Sequence, residues 1–255
     1  MSYAVDVQDL SVAYESQVVL DRITWQVESG SMAAVIGPNG GGKSTLLKSL
    51  LSLVPPISGS VQIFGQDPKT ARTQVAYLPQ REEVDWSFPI SCLEVVLQGR
   101  LVHRKWWQHP NRQDRDLAME SLRTVGMDRF AVRPIGSLSG GQIQRVFIAR
   151  ALAQAAKLII LDEPGAGLDA SAQHQLLDLF LELQKLGHTI VISTHDLNCL
   201  AAGFDTVLGL DRQVVLFGAP SEVLDGERLT KLFAKHFPVI GPEGEVSMHG
   251  LGVGD

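Results

Sequence analysis

A glycine-rich loop with a single lysine is the stretch of this sequence best suited to chemistry. It reads GPNGGGKST and fits the pattern G-x-x-x-x-G-K-[ST]. Backbone N–H groups in such a loop can surround phosphoryl oxygens, and the helix that follows aims its positive end at the same place. We therefore expect a phosphate site built from nine consecutive residues: Gly37, Pro38, Asn39, Gly40, Gly41, Gly42, Lys43, Ser44 and Thr45.

Three side chains of this loop have predicted roles. Lys43 would contact the β- and γ-phosphates, Ser44 would bind Mg²⁺, and Thr45 would add a phosphate contact. The alternative is a glycine-rich turn that only caps a buried helix. That alternative fits poorly, because the loop follows an apolar strand and opens an apolar helix, KSTLLKSLL.

Two carboxylates follow the apolar run in KLIILDEP. Ligands of open α/β sheets bind at the carboxyl ends of the strands, where this run delivers Asp162 and Glu163. Asp162 fits a carboxylate that anchors Mg²⁺, and Glu163 would then orient and deprotonate an attacking water. The alternative is an acidic strand end that faces solvent, and the phosphate loop makes it the poorer interpretation.

A second glycine pair opens another helical pattern, in SLSGGQIQRVFIAR. Ser139 and Gln142 have the spacing of a capping box, so the simplest interpretation is a well-capped helix. Gly140 and Gly141, however, leave N–H groups unshielded at a helix start, which favours a second anion site. One nucleotide seldom needs two such sites in one chain, and this hints at a dimer.

The elements that must position these residues follow from the apolar pattern. Three short continuous apolar runs, MAAVIG, KLIILDE and HTIVIST, alternate with helical patterns, which predicts a parallel α/β sheet. The first third of the chain otherwise has the alternation of β-strands. Residues 90–125 have a helical pattern that stops at Gly126, and the tail from Gly241 is glycine-rich without periodicity.

Composition limits the class of protein. The 255 residues are 45% apolar and carry a net charge of −6, which argues against disorder and weakly against nucleic acid as a partner. Cys92 and Cys199 are far apart and have no metal-ligand spacing, so free thiols in a reduced compartment are expected. The first residues do not resemble a signal peptide, and no apolar run reaches the ~18 residues of a membrane span. A soluble, cytoplasmic chain is the expectation.

The motifs together resemble those of ATP-binding-cassette ATPases. GPNGGGKST, Gln80 in YLPQ, LSGGQ, LIILDEP and His195 in STHD stand in the family's order. The resemblance covers residues 1–237 and implies an α/β P-loop core, an N-terminal antiparallel β subdomain and an inserted helical subdomain over residues 90–150. Residues 238–255 would be a flexible tail. The resemblance also implies ATP and Mg²⁺ as cofactors, and two copies of the chain that sandwich two ATP molecules. In such a dimer, the signature residues of one copy close over the phosphate loop of the other; they are Ser139, Gly140, Gly141 and Gln142.

The resemblance implies roles for four further residues. Gln80 would couple Mg²⁺ and water to the interface with a membrane partner, and His195 would contact the γ-phosphate. Asp169 in GAGLD resembles the acidic residue of a dimer-contacting loop, and Tyr14 stands where the family often has an adenine-stacking aromatic. Each has a simpler alternative: a loop amide, a structural histidine, a helix cap and a core aromatic, respectively.

Two departures from the family pattern are visible in the loops. Gly41 stands where alanine is frequent, and Gly165 follows DEP where a bulkier residue is common. Neither replaces a residue with a predicted catalytic role, so the expectation of ATP hydrolysis stands.

The segment after Gln80 resembles cassettes of bacterial manganese, zinc and iron importers, both in QREEVDWSFPISCLEVVLQGR and in the basic and aromatic HRKWWQHPNR. This implies an ATP-hydrolysing subunit at the cytoplasmic face of the membrane. It would work with two separate transmembrane permease subunits and, indirectly, an extracytoplasmic metal-binding protein. Trp86 and Phe88 are then expected to meet the membrane partner. Two alternatives stay open: an importer of chelated iron or a cofactor, and a soluble cassette ATPase that acts on nucleic acid or ribosomes.

The transported metal itself is not expected to bind this chain. The candidate ligands do not have the spacing of a metal site; they are His103, His109, Asp85 and Cys92. Only Mg²⁺ bound with ATP is expected.

Overall fold

The computed structural model describes residues 2–80, 89–105, 107–195, 203–223, 225–233, 239–240 and 246–247. Several residues singled out in the sequence lie outside these ranges: Asp85, Trp86, Phe88, Trp106, Cys199 and most of the tail. In chain order the elements are β1 (Tyr3–Tyr14), β2 (Gln17–Glu28), β3 (Met32–Ile36), α1 (Lys43–Leu50), β4 (Ser58–Ile63), β5 (Val75–Leu78), α2 (Cys92–Gln98), α3 (Arg112–Thr124), α4 (Gly140–Ala153), β6 (Leu158–Asp162), α5 (Ala170–Lys185), β7 (Thr189–Thr194), β8 (Thr206–Asp211), β9 (Gln213–Gly218), α6 (Pro220–Val223), α7 (Gly226–Phe233), β10 (Val239–Ile240) and β11 (Val246–Ser247).

A six-stranded sheet forms the centre of the described chain, in the order β5-β6-β7-β3-β8-β9. All neighbouring pairs are parallel except β8 and β9. The three apolar runs of the sequence are β3, β6 and β7, and nearly all of their residues are buried. The predicted parallel sheet is confirmed, and its carboxyl edge collects the ends of β3, β5, β6 and β7.

The N-terminal strands form a separate antiparallel sheet in the order β2-β1-β4. The alternation of ITWQV in β2 places Ile23, Trp25 and Val27 on the buried face. Because the side chains of a strand alternate between its two faces, one face of this sheet covers the core and the other meets solvent.

Two hydrophobic cores lie on opposite faces of the parallel sheet. Alternate residues of β3 divide between them: Met32, Ala34 and Ile36 join the core shared with α4 and α5, whereas Ala33 and Val35 join the core shared with α1 and the antiparallel sheet. A strand buried on both faces must be apolar throughout, which explains its continuous run. This double burial gives the phosphate loop, which follows β3, a rigid base.

The inserted helical region consists of α2, α3 and α4, which pack against one another. Gly126, which follows the C-cap residue of α3, has φ of +70° where the sequence predicts the helix end. The described residues of segment 99–111, by contrast, form no α-helix, because this segment is organised by contacts to α3 and α4 described below. Within the described ranges, no helix has the length and apolarity that a membrane span requires.

Candidate functional site

The phosphate loop connects β3 to α1 at the carboxyl edge of the sheet. Helix α1 begins at Lys43 after Gly42; no side chain caps its first turn, and no acidic residue lies there. The first N–H groups of a helix have no partner within the helix, and together they carry a partial positive charge. The start of α1 is therefore open to an anion.

Packing explains two of the loop's glycines. Gly42 has φ of +98°, and a Cβ atom there would lie 2.6 Å from Leu20 Cδ2. At Gly41 a Cβ would lie 2.9 Å from the carbonyl oxygen of Leu210. The Gly41 carbonyl also accepts a hydrogen bond of 2.9 Å from the N–H of Arg212. The loop thus presses closely against the end of β8, which gives the unusual glycine at position 41 a structural reason.

Lys43 is held inside the loop. Its side chain is 5% exposed, and Nζ donates to the carbonyl oxygens of Gly37 at 3.0 Å and Pro38 at 3.1 Å. Glu163 Oε1 lies 3.7 Å from the same Nζ. The lysine charge is therefore already balanced by the loop's own carbonyl groups and by Glu163.

Asp162 and Ser193 are paired across β6 and β7. Both are buried, and Ser193 Oγ donates a hydrogen bond of 2.5 Å to Asp162 Oδ1. Among the described residues, no donor reaches Asp162 Oδ2, although this atom is also buried. A buried carboxylate oxygen without a donor is costly unless a ligand satisfies it.

Glu163 lies between Lys43 and His195. Its side chain is 16% exposed, and Oε2 is 3.5 Å from His195 Nδ1. The backbone of Glu163 has φ of +50°, an uncommon conformation for a residue with a side chain. Strained backbone of this kind concentrates at functional sites, so the position is a strong candidate for chemistry.

One cleft unites most of the predicted catalytic residues. Its lining residues come from the phosphate loop, the loop after β5, the end of β6 and strand β2; they are Val19, Asn39, Gly40, Gly42, Lys43, Ser44, Thr45, Gln80 and Glu163. Gln80 and Glu163 thus face the same space as the phosphate loop, although they are far apart in sequence. His195 adjoins this cleft through Glu163.

Asp162 does not line the cleft but directly precedes Glu163 at the end of β6, whereas Ser139, Gln142, Asp169 and Tyr14 lie away from it. Ser139 caps α4 in a capping box with Gln142, and Asp169 caps α5 by accepting the N–H of Ala172 at 2.8 Å. Both caps match the simpler alternatives for these residues. Tyr14 is 47% exposed at the end of β1, beside the turn into β2. None of these residues lines the cleft in this single chain.

Val19 and Ser193 belong to the site but were not among the predicted residues. Val19 belongs to a strand that alternates in the ordinary way, so no local signal marks it. Ser193 could have been found from the sequence, since its hydroxyl group is polar and stands near the end of the apolar run TIVIST. Gly165, the other unusual glycine, has no comparable packing reason, because a Cβ there would make only ordinary contacts with Gln173.

Cysteine and histidine side chains give no metal site in the described part of the chain, where no group of three potential ligands comes together. Cys92 is buried, with Sγ 3.3 Å from the carbonyl oxygen of Arg133. Burial raises the pKa of Cys92, so its thiol stays protonated and is a poor metal ligand.

Known proteins match this chain over most of its length. The ABC transporter family matches residues 20–166. The manganese transport system ATP-binding protein of Bacillus subtilis is 43% identical over 231 residues, which cover 91% of this chain and 92% of that protein. The zinc transport system ATP-binding protein of Treponema pallidum is 44% identical over 218 residues, covering 86% of this chain and 82% of that protein.

Solved structures agree with these relatives. An inward-facing ABC transporter assigned to the metal-chelate type matches with a TM-score of 0.83 and 34% identity, over 92% of this chain and 90% of that one. The ADP conformation of an ATP-binding cassette matches with a TM-score of 0.81 and 24% identity, over 91% and 98% of the two chains, and shares the fold. By sequence and by fold, the chain belongs to the ABC transporter family and is an ABC ATPase.

Proposed function

We propose that this chain is the ATP-hydrolysing subunit of an importer for a divalent transition metal: manganese, zinc or iron. The observation that carries the proposal is the single cleft in which the phosphate loop, Gln80 and Glu163 meet, in a chain with relatives named for manganese and zinc transport. The family accounts for the ATPase, and the relatives support the choice of metal.

Nucleotide binding would use the open start of α1. The β- and γ-phosphates would accept hydrogen bonds from the loop N–H groups, and Lys43 would exchange its two carbonyl partners for phosphate oxygens. Ser44 and Thr45, which line the same cleft, supply hydroxyl groups beside the phosphates. Because Lys43 is already extended along the loop, little side-chain entropy is lost on binding.

The cleft and the adjoining end of β6 fit a magnesium ion. Mg²⁺ prefers oxygen ligands, and the buried Asp162 Oδ2 without a donor is such an oxygen. We infer that Asp162, Ser44 and Gln80 hold the ion together with the nucleotide. Bound there, Mg²⁺ would neutralise charge on the phosphate oxygens.

Glu163 is the proposed general base. Water would attack the γ-phosphorus, and the bond from that phosphorus to the oxygen bridging it to the β-phosphorus would break, giving ADP and phosphate. Glu163 would orient the water and accept its proton. His195, 3.5 Å from the Glu163 carboxylate, would contact the γ-phosphate and help hold the carboxylate in place.

A second copy of the chain would complete the site. Ser139, Gly140, Gly141 and Gln142 begin α4 with small or polar groups outside the cleft of their own chain, so they remain available to a partner's nucleotide. Asp169, at the start of α5, would lie at the same dimer contact. Tyr14 is sufficiently exposed to stack on an adenine ring.

Transport would require two transmembrane permease subunits, with an extracytoplasmic metal-binding protein supplying the cargo. The chain would then sit at the cytoplasmic face of the membrane through these subunits. We propose that residues 81–88, including Trp86 and Phe88, meet the permease and pass the closure of the dimer to it. The ATPase domain would be residues 1–237, followed by a flexible tail.

A second candidate is an importer of a chelated metal, because the matched transporter with 34% identity is assigned to the metal-chelate type. The two candidates differ in the cargo that couples to ATP hydrolysis. The test is to purify the chain with its natural membrane subunits and measure ATP hydrolysis with the cognate binding protein, loaded in turn with Mn²⁺, Zn²⁺, Fe²⁺ or a ferric chelate.

We expect one of the free divalent ions to stimulate hydrolysis more than the ferric chelate and the empty binding protein do. Stimulation by the chelate alone would replace the first candidate with the second. Stimulation by none of these cargoes would contradict both.

A further inference from the structure

Ser193 connects Asp162 and Glu163, the two acidic residues at the end of β6, through one hydroxyl group. It is fully buried near the end of β7, where it pairs with Asp162 of the neighbouring strand β6. Ser193 Oγ donates to Asp162 Oδ1 at 2.5 Å and accepts the backbone N–H of Glu163 at 3.0 Å. A single buried side chain therefore contacts the predicted magnesium ligand and the backbone of the predicted general base.

The direction of these bonds is fixed by their chemistry. A serine hydroxyl has one proton, and an ionised carboxylate can only accept. Since Ser193 Oγ receives the N–H of Glu163, its own proton points to Asp162 Oδ1. This bond occupies Oδ1 and leaves Oδ2 as the oxygen without a donor among the described residues.

The second bond supports an uncommon backbone conformation. Glu163 has φ of +50°, and its N–H is bonded to both Oγ and, at 3.2 Å, the carbonyl oxygen of Ser193. Without the hydroxyl, the N–H would keep only the longer bond. The aim of the Glu163 side chain depends on this turn of the backbone.

We propose that Ser193 is a positioning residue for hydrolysis: its hydroxyl turns Asp162 so that Oδ2 faces the magnesium ion, and it fixes the backbone turn that aims Glu163. The proposal rests on the proposed function, since it assigns a role toward the same ion. Groups that orient metal ligands commonly change metal affinity by about 10- to 100-fold when removed.

The test compares Ser193→Thr with Ser193→Val, which have the same shape and differ only in the hydroxyl. We expect Ser193→Val to raise the Mg²⁺ concentration for half-maximal ATP hydrolysis by about 10-fold or more, while Ser193→Thr stays close to the unmodified chain. A readout independent of turnover is the gain in affinity for a fluorescent ATP analogue on adding Mg²⁺. Ser193→Val should lose this gain but bind the analogue normally in EDTA.

Equal Mg²⁺ dependence of the two variants, in a chain that hydrolyses ATP, would overturn this proposal and leave the proposed function intact. Ser193→Ala, which adds no bulk, replaces the valine variant if valine does not fold in the buried site. An unmodified chain without Mg²⁺-dependent hydrolysis would instead contradict the proposed function.

A different surface, between α2 and α3, presents apolar and basic side chains to solvent. We call it the basic aromatic surface and define it by Leu101, Val102, Lys105 and Trp107. Leu101 is 51% exposed, Val102 44% and Trp107 58%. Lys105 Nζ lies 5.4 Å from the centre of the Trp107 ring. Exposed apolar groups beside a lysine and a tryptophan are typical of contacts at the surface of a membrane.

This surface stands on an ordered frame. Arg100 and Arg104 both pair with Asp114 in α3. Arg100 Nη1 also donates to the carbonyl oxygen of Ala153 at 2.7 Å, at the end of α4. A ring nitrogen of His103 lies 2.7 Å from the carbonyl oxygen of the next residue, Gln154. The backbone is thus held by polar contacts to α3 and α4, while the neighbouring apolar side chains are exposed.

Charge favours an anionic partner. The exposed basic residues of segment 100–115 are Lys105, Arg112 and Arg115, in a chain with a net charge of −6, and its one acidic residue, Asp114, is buried and paired with Arg100 and Arg104. Cytoplasmic loops of membrane subunits are themselves rich in Lys and Arg and would repel this segment, whereas anionic lipid headgroups attract it. We propose that the basic aromatic surface contacts anionic headgroups at the membrane; this too rests on the proposed function.

Vesicle sedimentation with the full chain tests the contact. We expect binding to phosphatidylcholine vesicles containing phosphatidylglycerol but not to pure phosphatidylcholine, weakened by salt. Lys105→Glu should lower the affinity at least about fivefold, since each basic residue near such a surface contributes by that order. Trp107→Ala should lower it too. The controls are Lys185→Glu and Leu186→Ala, which alter exposed residues at the end of α5.

Equal binding to both vesicle types, or equal losses in the controls, would overturn the lipid contact. The lipid contact would also be overturned if Lys105→Glu or Trp107→Ala no longer co-purified with the membrane subunits in lipid-free detergent. That result would assign the surface to the permease. Vesicle binding without metal-stimulated hydrolysis, which is measured with the membrane subunits and the loaded binding protein, would contradict the proposed function and not the lipid contact.

Discussion

The helices of the inserted region and the helix of the phosphate loop begin in opposite ways. Helices α2, α3 and α4 each start with a complete capping box, formed by Ser91 with Glu94, Asn111 with Asp114, and Ser139 with Gln142. Helix α1 starts after Gly42 with no side-chain cap. In the inserted region, side chains of the chain itself bond the first N–H groups of each helix. In the phosphate loop, the first N–H groups of α1 have no side-chain partner and are open to a ligand.

This difference separates stability from binding. A capping box satisfies orphan N–H groups in the absence of any ligand, at a gain of about 1 kcal/mol for the cap residue. An uncapped start gives up that gain and keeps the N–H groups for phosphate. Substitutions in the inserted region should therefore change the free energy of unfolding, and substitutions in the cleft should change nucleotide binding or turnover.

Helix α4 combines both arrangements. Ser139 and Gln142 cap it, yet its first two residues are Gly140 and Gly141, which leave the N-terminus without bulky side chains. The cap is sufficient to explain Ser139 in one chain, whereas a structural role alone does not explain two glycines in a first turn, where glycine is unfavourable. The proposed dimer contact accounts for the glycines.

The largest expected effect is on turnover. Glu163→Gln keeps the shape of the side chain but removes the base, so we expect ATP hydrolysis to fall by about 10²- to 10⁴-fold. Binding of Mg-ATP should persist, and closed dimers should accumulate. Phosphate release and size-exclusion chromatography with ATP measure the two properties.

Glu182→Gln is the matched control for this substitution, because Glu182 is an exposed residue of α5. Its turnover should equal that of the unmodified chain. Turnover of Glu163→Gln within a factor of two of that control would contradict the assignment of the base.

The second effect is on stability, in the inserted region. The Asp114 side chain is 4% exposed, and Asp114→Asn removes the negative charge that pairs with Arg100 and Arg104. Loss of one partner from a buried ion pair leaves the others uncompensated, so we expect the free energy of unfolding to fall by about 3 kcal/mol at pH 7. Nucleotide affinity should not change. Denaturant unfolding with and without ATP measures both, and Asp116→Asn on the exposed side of the same helix is the control.

The Asp114 effect should also depend on pH. Burial acts to raise the pKa of Asp114, but the hydrogen bond from the Asn111 N–H and those from Arg100 and Arg104 outweigh it, so the pKa of this carboxyl lies below its usual value. Its stabilisation is therefore complete above the pKa of the unfolded chain, about 4, and is lost as pH falls through the lower folded value. The difference in stability between the unmodified chain and Asp114→Asn should shrink below pH of about 4; a constant difference would contradict the pairing.

The third effect returns to the cleft. Lys43→Ala removes a buried cation that would donate to the phosphates, so nucleotide affinity should fall roughly 10- to 100-fold. The free energy of unfolding should change less than in Asp114→Asn. Titration calorimetry with a non-hydrolysable ATP analogue measures the affinity, and Lys69→Ala, at an exposed lysine, is the control. Unchanged affinity in Lys43→Ala would contradict the phosphate site.

The sequence predicts those parts of the site whose physics is local. The phosphate loop, Asp162 and Glu163 lie in continuous motifs beside buried strands, and their positions at the sheet edge follow from the pattern alone. Gln80 and His195 came from family resemblance, because the residues near them carry no comparable signal. That they adjoin the same cleft depends on the order of the strands, with β6 between β5 and β7.

Residues that act through register or tertiary contacts escaped prediction. Ser193 matters because it pairs with Asp162 across two strands, and Val19 because β2 passes over the phosphate loop. The segment between α2 and α3 read as helical, yet Arg100 and Arg104 turn toward Asp114 and hold it in an irregular form. Such contacts join residues that are distant in sequence, so no local pattern records them.

The smallest predicted effect compares two caps of the inserted region. Ser91 Oγ accepts the N–H of Glu94 and also donates to the Glu94 carboxylate at 2.6 Å. In the other capping box, the Ser139 N–H donates to the neutral side-chain amide of Gln142. The hydroxyl of Ser91 and, at 2.8 Å, its backbone N–H both donate to the Glu94 carboxylate, and these two bonds lower the pKa of Glu94. We expect Ser91→Ala to lower the free energy of unfolding by about 1 kcal/mol, and Ser139→Ala by less, because a hydrogen bond to a charged group is the stronger one. In Ser91→Ala the pKa of Glu94, followed by NMR titration, should rise toward its usual value. Equal losses in the two variants, with the pKa of Glu94 unmoved, would show that the hydroxyl of Ser91 adds nothing beyond an ordinary cap.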